Sequence, residues 1–266
     1  METAKLKKFA QFARRSLLEQ VSAKLKLVLA ENSAARREST EAIKKLEEAI
    51  KSHGKEQVIE RVAYIRESIF GGFWWFTADL KHDDLAYTNT ELLAHTDGTY
   101  SHDGPGLQLL HCIEFLDPVG GDSTMVDGFR IAAELKEKNP EAYELLSSFS
   151  VPGQYIGDGA HLMSSRPTFR HDQTGELVQV SFNNGDRAPF LLHPAEQRAF
   201  YDALRAFEEL ANDERLQWVH VLQPGEAMLF DNWRVLHGRK AYSGTRTLCG
   251  AYLNHEDFES RLRRGV

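Results

Sequence analysis

After Tyr64 the chain is cut into short apolar runs by glycines and polar turns, and that segmentation leaves few folds open. Leu107–Phe115 (LQLLHCIEF), Ser123–Gly128 (STMVDG), Leu177–Phe182 (LVQVSF), Leu216–Leu222 (LQWVHVL), Glu226–Asn232 (EAMLFDN) and Thr247–Leu253 (TLCGAYL) each hold six to nine residues. Their β-branched and aromatic content and their flanking turn formers predict strands. Between them, GFRIAAELKEKNPEAYELLSSF predicts a helix, a break at Asn139-Pro140, and a second helix. HPAEQRAFYDALRAFEELAND predicts a further helix with Pro194 near its first position, where a missing N–H costs nothing. SIFGGFWWF is apolar but fits either period. Many short strands with a few helices predict an α+β chain built on a sandwich or jelly roll with flanking helices.

Residues 1–62 have a different texture, with one glycine and neither proline nor tryptophan. Phe9, Phe12, Leu17, Val21, Leu25, Val28 and Leu29 recur at helical spacing, as do Ala42, Ile43, Leu46 and Ile50. Two or three helices are predicted, broken near Asn32-Ser33 and at His53-Gly54, which gives a helical arm at 1–62 and a second domain at 63–266. The arm's Lys and Arg either contact phosphate or acidic lipid or simply form a solvated helix face.

Length and charge narrow the function. The 266 residues suffice for one sizeable core, and a net charge of −7 argues against a chain built throughout to track nucleic acid, the arm excepted. The two cysteines, Cys112 and Cys249, lack CxxC spacing and suit a reducing compartment, so a cytoplasmic location is expected, with a mitochondrial one as the alternative. No apolar run approaches a membrane span, and Lys5, Lys7 and Lys8 lead into a charged amphipathic stretch rather than a secretory signal. Glu19 and Glu31 interrupt it, against a transit peptide.

In LLAHTDGTYSHD, His95 and Asp97 stand two positions apart, so on a strand they share one side. His237, in FDNWRVLHGR, follows a strand at an apparent turn and is the best third ligand. Two histidines and one carboxylate on one face leave three positions open, the arrangement of non-haem Fe(II) oxygenases. Structural zinc more often takes cysteine. Alone, one such pair among eleven histidines is usually incidental. Arg239 and Arg246 follow downstream, and they serve either as a surface pair or as guanidinium anchors for a dicarboxylate cosubstrate, each worth roughly 1.5–3 kcal/mol in a charge-assisted contact.

From about Ile65 onward, AYTNTELLAHTDGTY, GLQLLHCIEF, GGDSTMVDGF, FNNGDRA and MLFDNWRVLHGRKAYSGTRTLCGAYLNHEDFESR resemble the trimethyllysine and γ-butyrobetaine dioxygenase family, in the TauD-like branch of the Fe(II)/2-oxoglutarate oxygenases. The resemblance implies a double-stranded β-helix in which His95, Asp97 and His237 are both the iron ligands and the catalytic centre. It implies Arg246 on the distal carboxylate of 2-oxoglutarate, with Arg239 and Ser123 in support. Dioxygen is the implied second cosubstrate, and ascorbate a candidate reductant. The implied reaction is hydroxylation of N6-trimethyllysine to 3-hydroxy-N6-trimethyllysine in carnitine biosynthesis, with γ-butyrobetaine hydroxylation as the alternative. A trimethylammonium group has no N–H to donate, so aromatic faces must recognise it, and the family's cage falls on Phe70, Trp74, Tyr87 and Tyr252. Asp84 is the candidate for the α-ammonium of the substrate, and Asn183 and Asn184 for further polar contacts. A homodimer is a candidate assembly.

Two departures accompany the resemblance. The family's small N-terminal β domain and a strand region before IRESIFGGFWWF are not recognisable, so the oxygenase domain is expected to be truncated on its N-terminal side. Residues 1–62 instead resemble the N-terminal helices of an adenine-specific DNA methyltransferase from a phage-exclusion system, without its methylation motifs. A reading of another class follows: a non-catalytic binding protein, with a partner- or nucleic-acid-binding arm and an inactive oxygenase remnant.

Overall fold

The computed structural model describes residues 59–60, 62–77, 88–157 and 159–264. The helices expected in residues 1–58, and with them any arm, lie outside the described residues, as do Asp84 and Tyr87. The elements run β1 (Ile65–Arg66), β2 (Phe73–Thr77), β3 (Leu92–His95), β4 (Leu107–Gly120), β5 (Ser123–Asp127), α1 (Gly128–Lys138) and α2 (Pro140–Ser148). They continue with β6 (Ser150–Gly157), β7 (Ala160–Pro167), β8 (Phe169–His171), β9 (Leu177–Val180), α3 (Pro194–Ala211), β10 (Gln217–His220), β11 (Ala227–Asp231), β12 (Val235–Arg239), β13 (Tyr242–Leu253) and α4 (His255–Arg264).

Two antiparallel sheets form the jelly roll. The larger has the order β1-β13-β4-β11 with β2 also on β13, and the smaller has the order β10-β5-β12-β3. β4 covers β13 along nearly its whole length, so β2 (opposite Thr247–Ala251) and β1 (opposite Tyr252 and Leu253) share its other edge. Met125 and Val235 of the smaller sheet meet Phe230, Leu110 and Met228 of the larger one, closing one part of the space between the sheets.

Helices cover the outer face of the smaller sheet. Ala94, Val126 and Leu236 point out to meet Ile131, Leu135, Leu146, Phe200, Leu204 and Phe207. This explains why all five residues of β12 are buried although strand side chains alternate: Leu236 faces helices, while His237 and Arg239 face the interior. Asp127 caps α1 by accepting from the Phe129 N–H at 3.0 Å, and Asn139 caps α2 from Ala142 at 3.1 Å, with Pro140 in its first turn. The break at Asn139-Pro140 is therefore a cap handing one helix to the next. On the outer face of the larger sheet, Ile59, Val62, Ala63 and Phe258 bury Leu107, Leu109, Ala251 and Leu253. The packed body thus already includes Ile59, ahead of the boundary expected at 62/63.

Two expectations change. His237 does not stand at a turn but inside β12, opposite His95. The ambiguous SIFGGFWWF divides, with Ser68 and Gly71 bridging a turn in which Gly71 has φ +85°, and β2 beginning at Phe73. Among the described residues no helix is long and apolar enough to cross a membrane.

Candidate metal centre and its cavity

A cavity of about 530 Å³ opens between the sheets. His95 closes β3, and the register of β3 against β12 sets His237 opposite it, with the ring centroids 4.4 Å apart. Asp97 reaches them by a route other than strand alternation. β3 ends at His95, and Asp97 sits in the bend beyond it. Asn232 shapes that bend, its Oδ1 accepting from the Asp97 N–H at 2.9 Å while its Nδ2 donates to the carbonyls of Asp97 (3.1 Å) and Pro105 (2.8 Å). Gly98 follows with φ +72°, where an added Cβ would stand 2.4 Å from Pro105 Cδ. Only glycine fits there, and the turn brings the carboxylate back between the imidazoles.

His95 Nε2 stands 3.4 Å from Asp97 Oδ1 and His237 Nε2 3.5 Å from Asp97 Oδ2. The three ligand atoms lie within 4.8 Å of one another. His95 Nδ1 donates to the Leu93 carbonyl at 2.8 Å, which fixes the tautomer with the Nε2 lone pair turned inward. Tyr252 donates its hydroxyl to Asp97 Oδ2 at 2.8 Å, so a residue of the larger sheet orients a candidate ligand carried by the smaller. Burial on its own would raise the Asp97 carboxyl, but the charge and hydrogen bond of His237, and then those of His95, hold it well below the usual range. Burial lowers His237; at His95 it acts the same way but is outweighed by the hydrogen bond and charge of Asp97, which raise it. An anionic carboxylate between two imidazoles is the donor set of a two-histidine, one-carboxylate metal centre, and the residues fit one.

Beyond the three candidate ligands, one wall of the cavity is cationic. Ser123 of β5 and Arg239 of β12 are register partners, and Arg246 projects from β13. Arg239 donates to the carbonyls of Thr88 (2.8 Å) and Thr90 (2.7 Å), and burial pulls its pKa down to about 10. Arg246 is 4% exposed, lies over the rings of Phe115 (5.7 Å) and Tyr242 (5.6 Å), and has a buried Nε without a partner. Burial lowers its pKa. A buried guanidinium that no carboxylate of the described residues neutralises is a site for an anion.

A second wall is aromatic. Phe70 and Tyr252 line it, and so does Phe76, which the sequence did not single out. Trp74 is buried one layer behind, its indole lying across Gly250, stacked on Phe76 at 4.5 Å and tilted against Tyr252 at 5.4 Å. The period of a strand carried the missing signal, since Phe76 follows Trp74 by two and shares its face. Asn183 and Asn184 both line the cavity. Asn184 donates to Glu208 at 2.7 Å and accepts from Arg187 at 2.9 Å, whereas Asn183 Oδ1 accepts from the Gly185 N–H at 2.8 Å.

Similarity to known proteins agrees with this geometry. Trimethyllysine dioxygenase of Meyerozyma guilliermondii is 41% identical over 212 residues, 78% of this chain and 53% of its own length. The human mitochondrial trimethyllysine dioxygenase is 39% identical over 215 residues, 78% of this chain and 51% of its own. Human gamma-butyrobetaine dioxygenase is 37% identical over 212 residues, 77% of this chain and 54% of its own. The chain therefore spans about half the length of the curated relatives it matches. In fold it is similar to PvcB of Pseudomonas aeruginosa, an Fe, alpha-ketoglutarate dependent oxygenase from an isonitrile synthetic pathway, with a TM-score of 0.53 at 19% identity over 77% of this chain and 73% of that one. The methyltransferase likeness of residues 1–62 gains no support from these relatives, and the family match begins at residue 7, inside that segment. The family model for the taurine catabolism dioxygenases TauD and TfdA covers residues 7–252, and the chain belongs to that family.

Proposed function

We propose that the protein is an Fe(II)- and 2-oxoglutarate-dependent dioxygenase that hydroxylates N6-trimethyllysine to 3-hydroxy-N6-trimethyllysine, a step of carnitine biosynthesis. One observation carries the reading: a single cavity joins a His-Asp-His centre to a buried, carboxylate-free Arg246 on one wall and to stacked aromatic rings on another. Those are the needs of a metal, a dicarboxylate and a quaternary ammonium. The names of the relatives supply the substrate class.

In this reading His95, Asp97 and His237 hold Fe(II), with Tyr252 and the Leu93 carbonyl fixing two of the ligands. Iron bound there supplies activation of dioxygen coupled to decarboxylation of 2-oxoglutarate to succinate, with ascorbate as the reductant that maintains the ferrous state. Arg246 takes the distal carboxylate of the cosubstrate in a desolvated, charge-assisted contact, while Arg239 and Ser123 shape the adjoining wall. Phe70, Phe76 and Tyr252 present ring faces to the trimethylammonium group, with Trp74 fixing the latter two from behind. Tyr87 and Asp84 remain candidates from outside the described residues. Asn184 is committed to Glu208 and Arg187, which leaves Asn183 as the better polar contact to substrate.

γ-Butyrobetaine is the second reading, supported by a relative nearly as similar. The convergence of the three ligands counts against an inactive remnant that serves only as a binding module. The mitochondrial names of the animal relatives favour the mitochondrial alternative over the cytoplasmic one. A homodimer remains a proposal from the family.

The test is anaerobic reconstitution with Fe(II) and 2-oxoglutarate, followed by air, with trimethyllysine and γ-butyrobetaine in parallel. Mass spectrometry should find one added oxygen on trimethyllysine and matching succinate, both lost in His237→Ala. Oxygen on γ-butyrobetaine alone would move the assignment to the second reading. Oxidation of neither substrate by folded, iron-loaded protein would defeat both.

A further inference from the structure

We propose that the protein binds one monatomic anion of the chloride type in a small polar pocket behind the main cavity, held by the guanidinium of Arg166. The inference is independent of the reaction assigned above.

Arg166 belongs to β7 and is 9% exposed. The register of the β6–β7 hairpin pairs it with Val151, which packs on the helical core, so the arginine is directed inward as well. Its guanidinium lies against Gly104, where an added Cβ would stand 3.1 Å from Nη1. Its hydrogen bond among the described residues runs from Nη2 to the Ser164 hydroxyl at 3.5 Å, the outer limit of such a contact. No carboxylate of the described residues forms an ion pair with it. Asp103 acts on it from a distance, but that carboxylate is 60% exposed and is held by Arg66 at 3.5 Å. Burial, and then repulsion from Arg170 and Arg66, brings the Arg166 pKa down to about 10. A buried cation left in this condition is costly, and a bound counter-ion removes the cost.

A pocket of about 20 Å³ adjoins the guanidinium. Thr99, Thr168 and Ser181 bring hydroxyls to its lining. Thr99 donates to Asp186 at 3.0 Å. Thr168 and Ser181 are 1% and 8% exposed, and their hydroxyls have no hydrogen-bond partner among the described residues, so both can donate into the pocket. Two O–H donors beside a guanidinium form the donor set of an anion. The volume fixes its size: there is room for one water-sized particle, which admits a monatomic anion and excludes phosphate, sulfate or a dicarboxylate. A water also fits, but it leaves the charge uncompensated. Val151 and Leu204 supply apolar walls, which favour chloride or bromide over the more strongly hydrated fluoride. Phe182, Asn183 and Asn184 line both this pocket and the main cavity, and Thr99 follows Asp97 by two positions. An anion here therefore braces segments that flank the candidate metal centre.

The test uses full-length protein with Mn(II) and 2-oxoglutarate present, so that the metal centre and Arg246 hold ligands of their own. In crystals grown with bromide, anomalous diffraction at the bromine edge should place a peak in the pocket, within hydrogen-bond reach of Arg166, Thr168 and Ser181. In solution at fixed ionic strength, replacing gluconate by chloride at about ten times its Kd should raise the melting temperature by about 3–6 °C. Arg166→Gln keeps a polar side chain and removes the charge, and the rise should vanish in it. Water alone in the pocket, or bromide only at other positions, would overturn the proposal. So would bromide in the crystal together with a chloride response that Arg166→Gln leaves unchanged, the mark of an adventitious ion only. Should Arg166→Gln not fold, Ser181→Ala keeps the charge and removes one donor; a smaller rise supports the site, and an unchanged rise counts against it.

Discussion

Arg246→Met should make the ligand-free protein more stable and the cosubstrate-bound protein less so. The guanidinium is 4% exposed and its Nε has no partner. Burying such a charge costs several kcal/mol, and two ring faces at 5.6 and 5.7 Å return roughly 0.5–2 kcal/mol each. The remaining cost, on the order of 1–2 kcal/mol, disappears when a methionine of similar reach fills the space. For a chain of this size each 1 kcal/mol moves the melting temperature by about 2–4 °C, so the variant should melt about 2–8 °C higher. With Mn(II) in place of Fe(II) and 2-oxoglutarate at a hundred times its Kd, unaltered protein gains about 2.7 kcal/mol. The variant should bind 2-oxoglutarate roughly 10- to 150-fold more weakly, which leaves it about 1.4 down to about 0.3 kcal/mol of that gain at the same concentration. The melting-temperature shift produced by ligand should therefore fall by half or more in the variant, and for binding weakened toward about 150-fold the two melting curves exchange order, as read by circular dichroism or calorimetry. A variant that melts below unaltered protein without ligand, yet keeps the full 2-oxoglutarate shift, would refute the assignment of Arg246 as an anion site held ready at a cost in stability.

Other consequences are narrower. Gly250→Ala would set a Cβ 2.2 Å from the Trp74 ring and 2.3 Å from the Leu109 carbonyl, so it should destabilise by about 1–3 kcal/mol or more in denaturant titrations and weaken trimethyllysine binding by displacing the indole behind the cage. Asp127→Ala removes both the cap of α1 and a two-point contact to Arg234 at 3.0 and 2.9 Å, and should cost about 2 kcal/mol in the same titrations. Tyr252→Phe keeps the ring and drops the hydroxyl that orients Asp97, so metal affinity should fall roughly 10-fold or more by competition titration while the fold is preserved. At His255, burial acts to lower the pKa, but the hydrogen bond and charge of Asp231 raise it above 6.5. Its contribution to stability is therefore complete below pH 6.5 and is lost as the pH rises through the folded-state value, a slope that His255→Gln should flatten.

What the sequence disclosed depended on the range of the interaction that decides each feature. Strands with alternating apolar residues and helices with local stop signals were legible: STMVDG became β5, EAMLFDN became β11, and Asn139-Pro140 became a cap between two helices. The hairpin β6–β7 was not foreseen. Its inner position, Gly153, is dictated by contact with the Thr99 carbonyl and the Tyr100 N–H, and Ile156 and Met163 are exposed, so its sequence shows no clean alternation. The three candidate metal ligands do converge, but for a reason other than the spacing. Residue spacing suggested that His95 and Asp97 converge along a strand, whereas convergence comes from a glycine turn pinned by Asn232, a residue 135 positions away. The same dependence explains Trp74 and Phe76. Both point to one face of β2, but only the register of β2 against β13 puts Gly250 under Trp74, letting the indole sink into the wall while Phe76 stacks above it and meets the cavity. The cationic wall follows from register too, because pairing Ser123 with Arg239 brings a hydroxyl and a guanidinium from separate strands together at the end of the smaller sheet. Local sequence thus names the chemistry at each position, and pairing between distant strands decides which of those groups face the same few hundred Å³. By this logic, a one-residue shift in the pairing of β12 would exchange Leu236 for His237 on the inner face, so the histidine is held in the cavity by the same alternation that buries Leu236 against the helices.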